Sequence, residues 1–214
     1  MRSTNLGASR FGNVSRGWLV FFFGLLILLC SAYLFFPSIH ARYLFSELKT
    51  LQLGHSTFED AQRLAGKINA EPYGPCDPSK CEWHKRIDNA RLPRWWRGSG
   101  ETFGVVFDVK DSVIVRKEAA FGTGIEDGSV HPSRVSFQEQ EHWGRENTQQ
   151  PVQAGWGTTE VFRYWSFTVH MTPKASAEDR RRYTAFNYSC FWKYKGCADA
   201  RNLLPTADPF PFDK

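Results

Sequence analysis

The chain has 214 residues, is 42% hydrophobic and carries a formal net charge of +5. That length suits one domain, perhaps two, and the apolar content excludes a fully disordered chain. Eleven Pro and 17 Gly without a G-X-Y period exclude collagen. The charge is uneven: +3 falls in residues 1–36 and only +2 on the remaining 178, so no global field argues for nucleic acid.

Residues 18–36 read WLVFFFGLLILLCSAYLFF, 19 residues without a charge. At ~1.5 Å per residue a helix here spans ~28 Å, close to a hydrocarbon thickness of ~30 Å. Trp18 and Tyr33 lie near its ends, where amphipathic rings favour the membrane interface. Pro37, which cannot donate to a helix, is expected to end the segment. A cleaved signal peptide has an apolar region of ~7–15 residues and a small-residue cleavage site. This run is longer and ends in the bulky Tyr33-Leu34-Phe35-Phe36. A lipoprotein signal would set a small residue before the lipidated cysteine, whereas Leu29 precedes Cys30. Apolarity all round argues against a buried core helix.

The run therefore reads as an uncleaved single-pass anchor. Arg2, Arg10 and Arg16 precede it, and Arg42 and Lys49 follow it. By that small margin the positive-inside rule favours a cytoplasmic N-terminus and an extracytoplasmic body. The expected organisation is a cytoplasmic tail over 1–17, a transmembrane helix over 18–36, an extracytoplasmic α+β domain over 37–205 and an extended tail over 206–214.

Beyond the anchor, Leu44, Phe45, Leu48 and Leu51 fall on one face of a 3.6-residue period and predict a helix over 40–52. Gly54 breaks it. Thr57, with Asp60 three residues on, then caps a second helix over 58–68, whose apolar face is Ala61, Leu64, Ala65 and Ile68. Residues 51–64, LQLGHSTFEDAQRL, resemble the opening helix–turn–helix of the BamE/SmpA-like small envelope domains. There a leucine and a glycine precede a Thr-capped helix with an acidic residue and a leucine. Here the step from glycine to cap is one residue longer, and a lipobox is missing. The resemblance implies a similar fold, two helices before an antiparallel sheet, and implies no activity.

Four cysteines lie outside the apolar run, as Cys76-x4-Cys81 and Cys190-x6-Cys197. An even number in a domain expected outside the cytoplasm reads as disulfides. Three connectivities exist. The local pairs are favoured, because Pro75 and Pro78 bracket a turn and Gly196 relaxes the chain before Cys197. The rival is a four-cysteine zinc site, with His84 also within reach of Cys81. Zinc ligands usually come as C-x2–4-C, which the second pair does not fit. Cys30 reads as a small apolar residue.

Residues 91–98, RLPRWWRG, place Arg91, Arg94 and Arg97 around Trp95 and Trp96. Arg presents a phosphate-matching fork and Trp favours interfaces, so this is the candidate binding loop, toward anionic lipid headgroups or an envelope protein. The competing expectation packs one Trp into the core and leaves the Arg solvated.

Strand signals follow. Phe103, Val105, Phe107 and Val109 alternate over 101–109, a turn falls at Lys110-Asp111, and 112–119 is the partner strand. Residues 121–132 read as a loop, 133–142 as a strand, 144–157 as a polar loop and 158–171 as one long strand. Residues 176–182 read as a short helix or polar loop, 186–194 as a strand and 198–204 as a final helix ended by Pro205. The fold class is α+β: an N-terminal transmembrane helix, then a two-helix domain with an antiparallel sheet of four to six strands and local disulfides.

Catalytic signals are sparse. His55 and Glu59 stand at i, i+4 but straddle the expected cap, so an exposed loop histidine is expected. Glu139, Glu141 and His142 read as a solvated strand edge, and Arg180-Arg181-Arg182 as a solvated face. G-x-S-x-G and H-E-x-x-H are absent. Gly122, Gly124 and Gly128 are one residue too widely spaced for a dinucleotide fingerprint. Asn187-Tyr188-Ser189 is a glycosylation sequon, meaningful only in a eukaryotic secretory pathway. No cofactor or resident metal is expected. The reading is a membrane-anchored, non-catalytic binding or assembly module of the cell envelope, without a nucleic-acid partner. The alternative is an anchored hydrolase using His55/Glu59 or Glu139/Glu141. A third is a cytoplasmic-facing regulator, if the topology is inverted.

Overall fold

The computed structural model describes residues 11–90, 92–97, 100–123, 133–140, 151–159, 164–197 and 200–206. The tails over 1–10 and 207–214 lie outside these residues. The chain divides into two units, Met1–Phe36 and Pro37–Lys214.

In the first unit the described residues belong to helix α1, Phe11–Leu48. A stretch of this helix reaches a mean hydropathy of 2.6, and none of it is buried. The large apolar side chains from Trp18 to Leu29 are 43–73% exposed. A soluble core helix would bury at least one stripe of such side chains, because ~25 cal/mol is lost per Å² left in water. This is the form of a candidate membrane anchor.

Pro37 does not end the helix, as the sequence reading expected. α1 continues to Leu48 with Pro37 inside it. Proline removes one ladder bond, but its fixed φ is helical, and the turns that follow are held by burial. Ala41, Leu44, Phe45 and Leu48 are each at most 4% exposed. The helix expected over 40–52 is thus the continuation of α1 rather than a separate element.

In the second unit, α2 is Phe58–Ile68 and starts at the expected cap. The Thr57 hydroxyl accepts from Asp60 N, and the Asp60 carboxylate accepts from Thr57 N. Among the described residues seven strands form one sheet: β1 Glu71–Pro72, β2 Lys80–Asp88, β3 Glu101–Lys110, β4 Val113–Thr123, β5 Ser133–Gln140, β6 Val152–Thr159 and β7 Tyr164–Met171. Their order is β1-β2-β3-β4-β5-β7-β6. All neighbours are antiparallel except β5 and β7, which are parallel. The sheet is therefore mixed, which alternation alone does not reveal, because a side-chain period of two is common to both pairings.

Short helices complete the unit: α3 Arg94–Arg97, α4 Ala177–Tyr183 and α5 Ala200–Leu203, with a 3-10 turn over Tyr188–Phe191. Two expected segments come out differently. Residues 152–157, expected as loop, belong to β6, and the long strand over 158–171 is divided between the end of β6 and β7. The strand expected over 186–194 is the 3-10 turn. Asn187 caps it by accepting from Ser189 N, and Trp192 N donates back to Ser189 O. Local capping competes with extension, and here it wins.

One sheet face carries the core. Phe103, Val105 and Phe107 on β3 face Phe121, Ala119 and Lys117 on β4, and Phe121 and Ala119 in turn face Val135 and Phe137 on β5. A bulge after Asp108 sets Val109 opposite Ile114 and leaves Val115 as the extra residue. Ile114 and Lys117, three apart, consequently both point inward. The turn between β3 and β4 uses Asp111 and Ser112, both at positive φ, as a two-residue primed hairpin requires.

Phe45 is the hub. Its ring lies edge-on to Phe103 at 6.3 Å, Phe137 at 6.2 Å and Phe186 at 5.4 Å. It joins helix, two strands and the 186–191 segment in one contact set. Phe45→Ala is expected to cost about 4 kcal/mol, from lost transfer energy plus an unfilled cavity. Denaturant unfolding of the full chain in detergent checks this, and a loss below about 1 kcal/mol would contradict it.

Candidate functional site

Two surfaces of the Pro37–Lys214 unit bring charged and aromatic side chains together. The first is a platform built from α3 and the loop closed by Cys190–Cys197. That disulfide and Cys76–Cys81 are both formed, with Cα separations of 5.2 Å and 4.3 Å, so the two local pairs are those present. Each closes a short ring and restricts the unfolded chain. With their sulfurs joined, these four cysteines offer no thiolate to a metal.

The platform is fastened at Trp96. Its indole N–H donates to Trp192 O at 3.1 Å, its ring meets Tyr194 edge-on at 5.6 Å, and its carbonyl accepts from Lys195 N at 2.7 Å. Trp95, one residue earlier, is 68% exposed. Trp192 and Tyr194 are exposed and alternate in sequence with Lys193 and Lys195. One Trp of the candidate loop thus holds and the other protrudes. Arg94 and Arg97 lie on α3, and Arg91 falls outside the described residues.

Beneath the platform Glu101 is fully buried. Its carboxylate accepts from Cys197 N at 3.0 Å and from the Asn89 amide, while Asn89 Oδ1 accepts from Glu101 N at 3.0 Å. Gly196 has φ +63, and a Cβ there would lie 1.5 Å from Glu101 Oε1. Glycine is required on both counts: left-handed backbone and a carboxylate against Cα.

The second surface is a pocket of about 520 Å³ where α1 ends. Phe45, Leu48 and Phe137 give it apolar walls, and Lys49, Lys117, Arg180 and Arg181 bring four cations to one carboxylate, Glu139. Glu139 is buried and holds Lys117 Nζ at 3.0 Å and Arg180 Nη1 at 2.5 Å, one with each oxygen. Lys117 Nζ also donates to Leu51 O at 2.8 Å. Arg180 also donates from Nε to Ala175 O and from Nη2 to Thr172 O and Pro173 O. Lys49 Nζ sits 4.3 Å from the centre of the Phe45 ring. Burial, and then the charge of Lys117, hold the Lys49 ammonium below its ordinary pKa.

No family model matches this chain, and neither a curated protein nor a solved structure matches it.

The other sequence candidates are dispersed or absorbed. Glu139 is not a solvated edge, because it faces inward on β5 against the buried Lys117 and the half-buried Arg180. Arg180 is not part of a solvated face, since it answers that carboxylate; Arg181 is exposed. Both oxygens of Glu139 are engaged, one by Lys117 and one by Arg180. Glu141 and His142 lie outside the described residues, as do Gly124 and Gly128. His55 is exposed in the turn before Thr57, so the helical phase that would pair it with Glu59 does not reach it. The sequon Asn187 donates its side-chain amide to Asn202 O at 2.9 Å. Among the described residues no group of three or more His, Cys, Asp or Glu is placed to hold a metal.

Sequence reasoning missed Lys49, Lys117 and Arg180 as a group. Lys117 carried a readable signal: it alternates in phase with Ala119 and Phe121, and a lysine on an inward face demands a partner. It also missed that residues 190–197 complete the platform, because 186–194 alternate as a strand does.

Gly196→Ala is expected to destabilise the protein by about 3 kcal/mol, from a left-handed alanine plus overpacking against Glu101. The midpoint of chemical unfolding with disulfides intact reads this. A shift worth less than about 0.5 kcal/mol would contradict the proposed fit.

Proposed function

We propose that this chain is a single-pass membrane protein with a cytoplasmic N-terminus and an extracytoplasmic body, acting as a non-catalytic binding or assembly module of the cell envelope. The apolar, unburied stretch of α1 supports the anchor. Three arginines before the apolar run and two basic residues soon after it support the orientation. Two disulfides support an oxidising compartment for the body. The Thr-capped α2 ahead of a sheet supports a fold-level likeness to BamE/SmpA-like domains.

The contact surface is the aromatic–basic platform, and the observation that carries it is Trp95. A large aromatic ring left 68% exposed on a one-turn helix, while its neighbour Trp96 anchors that helix, is the form of an interface hot spot. Its exposure costs hydrophobic free energy in the isolated chain, which a partner would recover. Arg94 and Arg97, which flank Trp95 and Trp96 in sequence, suit an anionic envelope protein or anionic headgroups.

Trp95→Ala leaves every contact of Trp96 to the disulfide loop in place, so stability should change by less than about 0.5 kcal/mol. With a photoreactive residue at position 193, crosslinking in intact membranes should give one discrete protein adduct or lipid adducts. Trp95→Ala should reduce that adduct about tenfold or more, as loss of a hot spot does. Equal adduct yield with and without Trp95 would remove the platform's role. The mass of the adduct separates protein from lipid.

A further inference from the structure

The pocket at the end of α1 has a charge balance that the fold does not close. Glu139 is already answered twice, by Lys117 and Arg180. Arg180 is largely committed, because four of its five N–H donors face protein oxygens. Lys49 and Arg181 are different. Among the described residues neither has a carboxylate or a hydrogen-bond acceptor, and Lys49 rests only on the Phe45 ring. Both line the same pocket, whose apolar walls are Phe45, Leu48 and Phe137. Its volume of about 520 Å³ falls within the ~300–1,000 Å³ typical of small-molecule sites.

We propose that this pocket binds a small amphipathic carboxylate, with the acyl or aryl body against Phe45, Leu48 and Phe137 and the carboxylate between Lys49 and Arg181. Each part of the ligand follows from a part of the site. An apolar body is needed to replace water on the aromatic wall. A planar carboxylate matches the guanidinium fork of Arg181 and accepts from the ammonium of Lys49. A cation is rejected by four positive side chains. A neutral alcohol of the same length gains the wall but leaves both charges unanswered. Burial, and then the charge of Lys117, disfavour the Lys49 ammonium, and an anion beside it would offset both. The inference goes beyond the platform and does not rest on Trp95 or on the orientation of the anchor.

The test uses the full chain in phosphatidylcholine nanodiscs and a diazirine-bearing octanoate, with empty nanodiscs as the background. After irradiation, labelled peptides are mapped by mass spectrometry. Label is expected on the peptides holding residues 45–49 or 180–185. Excess octanoate should suppress it at least fivefold, and octanol should not. The double substitution Lys49→Gln/Arg181→Gln should reduce the label at least fivefold with an unchanged near-ultraviolet circular dichroism spectrum, since among the described residues neither side chain has a carboxylate or hydrogen-bond partner and glutamine keeps an aliphatic stem over the Phe45 ring. Trp95→Ala should leave the label unchanged, which separates failure of this site from failure of the platform. Competition by octanol equal to octanoate, full labelling of the double variant, or label confined to the apolar run of α1 would each overturn the proposal.

Discussion

The ring of Phe45 is the constraint on which the body's architecture turns. It meets Phe103, Phe137 and Phe186 edge-on within 6.3 Å, so the last turns of α1, two strands and the segment before the 3-10 turn share one point. Edge-to-face aromatic contacts are directional and add to the area they bury. The turns of α1 after Pro37 therefore sit on the sheet at a fixed rotation, with Ala41, Leu44 and Leu48 carried inward by the same period. Where the helix stops, the ring's outer side is left facing the pocket, and Lys49 covers part of it. Core and candidate site are two sides of one side chain.

Two buried acids organise what the apolar core cannot. Glu139 ties β5 to β4 through Lys117 and to α4 through Arg180. Glu101 ties β3 to Asn89 and to the disulfide loop through Cys197 N. Buried ion pairs contribute little net stability, because desolvation offsets most of the Coulomb gain. Their effect here is positional. Apolar contacts tolerate sliding, whereas a carboxylate held from two sides does not. Both candidate surfaces depend on this: the pocket keeps its shape because Glu139 holds Lys117 and Arg180, and the platform keeps its height because Glu101 seats Gly196 and Cys197.

Much of this was legible in the residues, for physical reasons that differ from element to element. The apolar run, the Thr57-capped α2, the β3–β4 hairpin and the local disulfides are governed by near neighbours in sequence, so periodicity and spacing expose them. The mixed sheet was not legible, because β7 returns between β5 and β6 and a period of two does not record the neighbour's direction. Pro37 misled because its missing donor matters less than the burial of Leu44, Phe45 and Leu48 just beyond it. Residues 186–194 misled because Phe186, Tyr188 and Cys190 alternate as a strand does, while Asn187 diverts the backbone into a cap. Within the candidate loop the composition was readable, but only the structure separates Trp96, which holds, from Trp95, which protrudes. Glu139 and Arg180 looked like surface residues because their partners lie 22 and 41 positions away.

The account's central claim is a body held together by disulfides on the oxidising side of a membrane that α1 crosses. The most direct test is the intact mass of the protein taken from native membranes, denatured and alkylated without reduction, followed by peptide mapping. The account predicts one alkylated cysteine, Cys30, with Cys76 joined to Cys81 and Cys190 to Cys197. Five alkylated cysteines would contradict it, placing the body in a reducing compartment and reversing the proposed orientation.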